Sequence, residues 1–164
     1  MDRLYAPWRA NYVKKPKNGD ERCVFCSVLL EGPSHDEKNL ILCRLDEAFV
    51  MMNLYPYNSG HLLVLPKMHT SNLEDLSTST YAATTELLRS SIGILNSIYE
   101  PDGINIGINL GAAAGAGIPQ HCHFHIVPRW NGDTNFMPVL ADSKVLNEQL
   151  LQSYKKLRPK FSAL

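Results

Sequence analysis

The run Gln120-His121-Cys122-His123-Phe124-His125-Ile126-Val127-Pro128 places three of the chain's six histidines at every second position. On an extended strand successive side chains point to opposite faces, so His121, His123 and His125 share one face and Cys122, Phe124 and Ile126 the other. Such a face can chelate a metal, or it can supply a nucleophile and a general acid, because neutral imidazole keeps a basic nitrogen near neutral pH. At about 3.3 Å per residue His121 and His125 stand about 13 Å apart along a regular strand, far for two ligands of one ion with bonds of about 2 Å. The spacing therefore favours a division of labour among the three imidazoles. His35, alone among Ser34, Asp36 and Glu37, carries no such implication.

A second constellation is Cys23-Val24-Phe25-Cys26. A C-x-x-C is half of a tetrahedral metal site or a redox pair. His69, in Pro66-Lys67-Met68-His69, is the best-placed extra histidine. Cys43 and Cys122 read as buried strand residues.

The elements that must position these groups follow from periodicity. Residues 1–38 lack a periodic pattern and form an irregular N-terminal segment carrying the C-x-x-C, with a surface loop around Lys14, Lys15 and Lys17. Short apolar runs at Leu40–Arg44, Ala48–Asn53 and His61–Pro66 predict strands, the first two forming an antiparallel hairpin across Asp46-Glu47. A short helical piece is expected from Ser71 to Leu76. A long helix follows from Ser77 to about Glu100, with Ser or Thr as N-cap and Pro101-Asp102-Gly103 as terminator. Ile104–Asn109 alternates as a strand, and the Gly/Ala-rich loop Gly111–Pro119 leads into the histidine strand. Residues 131–164 form a C-terminal extension with a helix at about Ser143–Lys156. Strands gathered rather than interleaved with helices predict an α+β domain spanning residues 1–164, with an antiparallel sheet of about five strands, one long helix and a C-terminal helix.

Lys plus Arg and Asp plus Glu balance at 16 each in 164 residues, which gives no polyanion-binding surface and no nucleic-acid partner. No apolar run reaches the roughly 20 residues of a membrane span, and the polar start Met1-Asp2-Arg3 lacks a signal peptide's apolar stretch. A cytoplasmic protein with reduced cysteines is expected.

The segment His121-Cys122-His123-Phe124-His125-Ile126-Val127 resembles the signature of the histidine triad (HIT) superfamily of nucleotide hydrolases and transferases. Asn53 and Gly60-His61-Leu62-Leu63-Val64-Leu65-Pro66 are similar to that family's ribose-binding strand and fourth histidine. Leu4-Tyr5-Ala6-Pro7-Trp8-Arg9, Leu54-Tyr55-Pro56-Tyr57 and Arg129-Trp130-Asn131-Gly132-Asp133, with Asn135-Phe136 and Lys144-Val145, extend the likeness to the bacterial diadenosine tetraphosphate phosphorylase branch. The resemblance implies an α+β HIT-like fold and a nucleotidyl hydrolase or transferase acting on a diadenosine polyphosphate through a covalent nucleotidyl-histidine. It makes His123 the nucleophile, His125 the proton donor and phosphate contact, His61 a positioning histidine and Asn53 the ribose partner, with a turn cap at the strand's end as the lesser reading of Asn53. Asn109, Gly115, Gly117 and Gln120 become nucleotide contacts in a loop whose small residues let backbone N–H groups approach a phosphate. The smaller hydrolases of the superfamily place Gln and Ser side chains where this chain has Ala116-Gly117-Ile118-Pro119-Gln120, so phosphate contacts fall to backbone and Gln120. Galactose-1-phosphate uridylyltransferases carry His-Pro-His followed by Gln, unlike Cys122 and His125 here. The resemblance also implies a structural zinc held by Cys23, Cys26, His69 and His121, no organic cofactor, and a homodimer with continuous sheets. Alternative readings are a nucleoside phosphoramidate hydrolase, a nucleotide-binding signalling module with little turnover, and a metal-dependent hydrolase using the triad as ligands.

Overall fold

The computed structural model describes residues 23–134 and 146–164. Its centre is a five-stranded antiparallel sheet in the order β1-β2-β3-β5-β4. The strands are β1 (Ile41–Arg44), β2 (Ala48–Met52), β3 (Leu62–Pro66), β4 (Gly103–Ile108) and β5 (Phe124–Arg129); the helices are α1 (Val24–Leu30), α2 (Thr78–Tyr99) and α3 (Leu150–Phe161). The fold is α+β, and the β1–β2 pair is the expected antiparallel hairpin. Among the described residues, no helix is long and apolar enough to cross a membrane.

Alternation along the strands feeds two cores. Leu42, Val50, Met52, Leu62, Val64, Phe124 and Ile126 face α2 and α3, meeting Leu87, Leu95, Leu157 and Phe161. Ile41, Phe49, Met51, Leu63 and Leu65 face the other way and pack with Cys23 and Phe25 of the α1 region. β2 and β3 are thus buried on both faces. Each fully buried aliphatic or aromatic side chain of this kind stabilises the fold by about 1.5–3 kcal/mol.

α2 begins as its sequence demands: Ser77 Oγ accepts the Thr80 N–H at 3.0 Å, and Glu100 closes the helix in a left-handed conformation before Pro101. Gly60 at φ 76° lets the preceding turn approach α2, since a Cβ there would lie 2.9 Å from the Tyr99 ring.

Four expectations need correction. The segment before Leu40 is not irregular throughout: α1 and a 3-10 turn at Pro33–His35 lie within it. Seven residues are too few for a helical period to show, and α1 is held by tertiary contacts: Arg44 donates to the carbonyls of Leu29 (2.9 Å) and Val28 (3.2 Å) at its C-terminus while pairing with buried Asp36. Residues 71–76 form turns, because Thr70 and Asp75 take the hydrogen bonds a helix would use. Thr70 Oγ1 accepts the Asn72 N–H and donates to Asp75. The histidine strand starts only at Phe124, since the Cys122 N–H donates to the Thr70 carbonyl at 2.7 Å, outside the ladder. α3 starts at Leu150 behind a Gln149–Gln152 capping box and continues through Pro159 to Phe161, later than the expected span. Burial of Ser153, Tyr154, Leu157 and Phe161 on one face sustains the helix past the proline. The expected start at Ser143, the Lys14–Lys17 loop, Leu4–Arg9, Asn135-Phe136 and Lys144-Val145 lie outside the described residues.

Candidate active site and metal group

The short interval between Cys122 and β5 divides the histidines between two places. His121 is fully buried, and its Nε2–H donates to the Pro66 carbonyl at 2.9 Å. A carbonyl can only accept, so the lone pair sits on Nδ1, which faces Cys23 Sγ at 3.5 Å and Cys26 Sγ at 3.7 Å. His69 Nδ1 lies 3.4 Å from Cys26 Sγ. The four ligand atoms of Cys23, Cys26, His69 and His121 lie within 4.8 Å of one another. Metal–sulfur bonds of about 2.3 Å and metal–nitrogen bonds of about 2.0 Å set tetrahedral S···N separations of about 3.5 Å, so the group has the dimensions of a closed four-ligand site. Burial and the neighbouring Cys23 push the Cys26 thiol up to about 11. A bound cation reverses that by favouring thiolates.

Phe25 lies between the two cysteines of the motif and projects inward. Its ring meets His121 edge-on at 5.5 Å and His123 at 5.1 Å. The turn that carries the two cysteines therefore also supplies the wall against which His123 rests.

His123 is buried, and its Nδ1–H donates to the carbonyl of His121 at 2.8 Å. The lone pair is thereby placed on Nε2. Burial lowers the affinity of this ring for a second proton. The ring of His125 lies 4.9 Å from that of His123. His61 completes the chain: the Tyr57 N–H donates to its Nδ1 at 3.0 Å, so Nε2 carries the proton and donates to His125 Nδ1 at 3.0 Å. His125 in turn holds its proton on Nε2. Two neighbouring imidazoles thus carry opposite capacities, a lone pair on His123 and a proton on His125.

Asn53 adopts the turn-capping geometry: its Oδ1 accepts the Tyr55 N–H at 3.0 Å, while its amide nitrogen lies 3.4 Å from both His61 ring nitrogens. Asn109, at the start of the Gly/Ala loop, directs its amide toward the Gly115 carbonyl at 3.5 Å. In that loop the N–H groups of Ala114, Gly115 and Ala116 bond to the loop's own carbonyls, and Gly115 is left-handed at φ 91°. Gln120 and Gly117 are exposed. The structure brings His61, His123 and His125 together and gathers the four metal-group residues beside them.

Residues that sequence reasoning left without a role line a cleft of about 390 Å³ beside His125, among them Tyr57, Asn105, Gly107, Val127 and Arg129. The Tyr57 ring lies 4.7 Å from His61 and near-parallel to His125 at 6.1 Å. Arg129 grips Asp133 with two bonds of 2.6 and 2.8 Å and Asn105 with one of 2.8 Å. The guanidinium holds the Asp133 carboxyl far below the usual carboxylate range. The signal for part of this wall was the alternation Asn105-x-Gly107-x-Asn109.

Burial first, then the nearby His125 and His123, pushes His61 from 6.5 down to about 3. Folded His61 stays neutral where the unfolded chain takes up a proton, so its contribution is complete above pH 6.5 and is lost as pH falls toward 3. Between pH 7 and pH 5 the loss from this group is about 2 kcal/mol. Urea unfolding at both values should show the wild type losing that much more stability than His61→Asn; equal losses would contradict a buried neutral His61.

A family model described as HIT domain matches residues 35–132. The chain is 37% identical over 163 residues to an AP-4-A phosphorylase of Mycobacterium tuberculosis, covering 96% of this chain and 82% of that protein. It is 34% identical over 114 residues to an adenylylsulfatase HINT3 of Arabidopsis thaliana, covering 68% of this chain and 54% of that protein. Its fold is similar to a Zn-bound histidine triad family protein from Mycobacterium smegmatis, with TM-score 0.68, 28% identity and coverage of 88% of this chain and 96% of that one. With its histidines divided between a four-ligand group and a lone-pair and proton-bearing pair, the chain belongs to the HIT domain family.

Proposed function

We propose that this protein is a nucleotidyl transferase that cleaves diadenosine polyphosphates through a covalent intermediate on His123, with inorganic phosphate as the acceptor. The observation that carries the reading is the pair of fixed tautomers, His123 with its lone pair on Nε2 beside His125 with its proton on Nε2. His123 Nε2 attacks the α-phosphorus and forms a P–N bond as the P–O bond to the leaving phosphate chain breaks. The leaving oxygen takes the proton of His125 Nε2. Phosphate then attacks the same phosphorus, returns a proton to His125 and releases His123 with ADP as product. With water in place of phosphate, the product is AMP. His61 keeps His125 in the donating tautomer, and burial keeps His61 neutral in that task.

Asn53 contacts the ribose in this reading, and Asn109 and Gln120, with backbone at Gly117 and, once its N–H leaves the Ala112 carbonyl, Gly115, contact the phosphates. The likeness to an AP-4-A phosphorylase supports phosphate over water as acceptor. Cys23, Cys26, His69 and His121 would hold a structural zinc, which supplies a crosslink between α1 and the sheet. We place the protein in the cytoplasm, where thiolate ligands stay reduced. A homodimer forms through β4, which ends the order of the described sheet and leaves Ile106 49% exposed.

Diadenosine tetraphosphate should yield ADP and ATP in the presence of phosphate, and His123→Asn should lower turnover by at least a thousandfold while binding nucleotide normally. An active variant removes His123 from the role of nucleophile; AMP and ATP irrespective of phosphate make the enzyme a hydrolase. Cys26→Ser should lower bound zinc, measured by atomic emission, together with the melting temperature, and unchanged values of both reject the structural metal. Light scattering should give twice the chain mass for the wild type and the single mass for Ile106→Lys. A wild-type monomer rejects the β4 interface.

A further inference from the structure

The two faces of β4 are unlike. Ile104, Ile106 and Ile108 alternate with Asn105, Gly107 and Asn109. The register sets Gly107 opposite His125 and Asn105 opposite Val127, so the small polar set shares the sheet face that carries His125. The α1 region packs over the β1–β3 portion of that face, and among the described residues the β4–β5 portion stays open as the cleft. Its volume of about 390 Å³ lies within the range of small-molecule sites, roughly 300–1,000 Å³.

Direction follows from the proposed chemistry, on which this inference rests. Attacking and leaving atoms stand roughly in line across a phosphorus. With His123 on the attacking side and His125 protonating the leaving oxygen, the rest of the leaving group lies beyond His125. His125 lines the cleft, and beyond it the wall runs past Gly107 and Asn105 to Arg129. Asp133 and Asn105 hold the Arg129 guanidinium in one pose, which prepares it for an anion. Tyr57 and Val127 add apolar surface.

We propose that this cleft is the subsite for the leaving half of the substrate, a nucleotide that departs with its phosphates, and that Gly107 determines specificity for it. Hydrogen in place of a side chain opposite His125 keeps the passage toward Arg129 clear. A Cβ at Gly107 would meet nothing within 4 Å, and its backbone is ordinary strand, so a β-branched residue folds there while filling the passage.

The test compares kcat and KM for diadenosine tetraphosphate and for adenosine 5′-phosphoramidate, whose leaving group is only ammonia, in the wild type, Gly107→Ala and Gly107→Val. The ratio of the two kcat/KM values, dinucleotide over phosphoramidate, should fall at least tenfold in Gly107→Val and less in Gly107→Ala, with melting temperatures no lower than wild type. An unchanged ratio while the wild type turns over both substrates overturns the subsite and leaves the proposed function standing. Wild-type turnover of the phosphoramidate alone, or of neither compound, overturns the proposed function and the subsite with it.

Discussion

His61, His121 and His123 are each held through one ring nitrogen by a backbone group whose hydrogen-bonding role cannot change, His125 is held through His61, and the rest of the arrangement depends on that. A backbone carbonyl only accepts and a backbone N–H only donates. The Pro66 carbonyl therefore fixes His121, the His121 carbonyl fixes His123, and the Tyr57 amide fixes His125 through His61. Three residues of one type in one short run emerge with three capacities: a lone pair facing two sulfurs, a lone pair on Nε2 beside a second imidazole, and a proton. Burial lowers the pKa of His61, His121 and His123 and so keeps these rings neutral, which is the condition for tautomers to matter.

The same economy appears in α1. A seven-residue helix is too short to stand alone, so its position must come from elsewhere. Arg44 caps its C-terminal carbonyls, and Cys23 and Cys26 bring its N-terminal end to His69 and His121. Phe25, between those cysteines, then meets His121 and His123. The metal group and the histidine pair are consequently one packed unit. Disturbing the cysteines displaces a wall of the neighbouring site even if no ligand takes part in the chemistry.

The parts legible in the sequence were those governed by local pattern. The two-residue histidine period, the short apolar runs of β1 to β3, the alternation in β4 and the Ser77 cap each express a rule that needs only neighbours in the chain. The His121–His125 span argued against a single three-histidine metal centre, and His121 does turn to the cysteines while His123 and His125 stay together. What escaped was set by contacts remote in sequence. The late start of β5 reflects the Cys122 N–H on Thr70, and α3 runs through Pro159 because Leu157 and Phe161 reach the sheet's core. Asn53 caps the turn through its Oδ1, the lesser of the two roles its sequence context allowed, and its side-chain amide still faces His61.

β4 is where local preference and structure disagree most usefully. Ile104 and Ile108 pack against the core, yet the alternate positions are Asn, Gly and Asn, all poor strand formers. Glycine inside a regular element costs about 0.5–1 kcal/mol, and at Gly107 neither a positive φ nor a close neighbour among the described residues requires it. Packing therefore gives no reason for the absence of a side chain opposite His125. Gly107 thus leaves space beside an imidazole that holds a proton, on the face that carries an arginine fixed by Asp133 and Asn105. A position where stability alone favours a larger residue, and where the described residues leave room for one, has its smallness explained outside packing, an explanation the proposed subsite supplies.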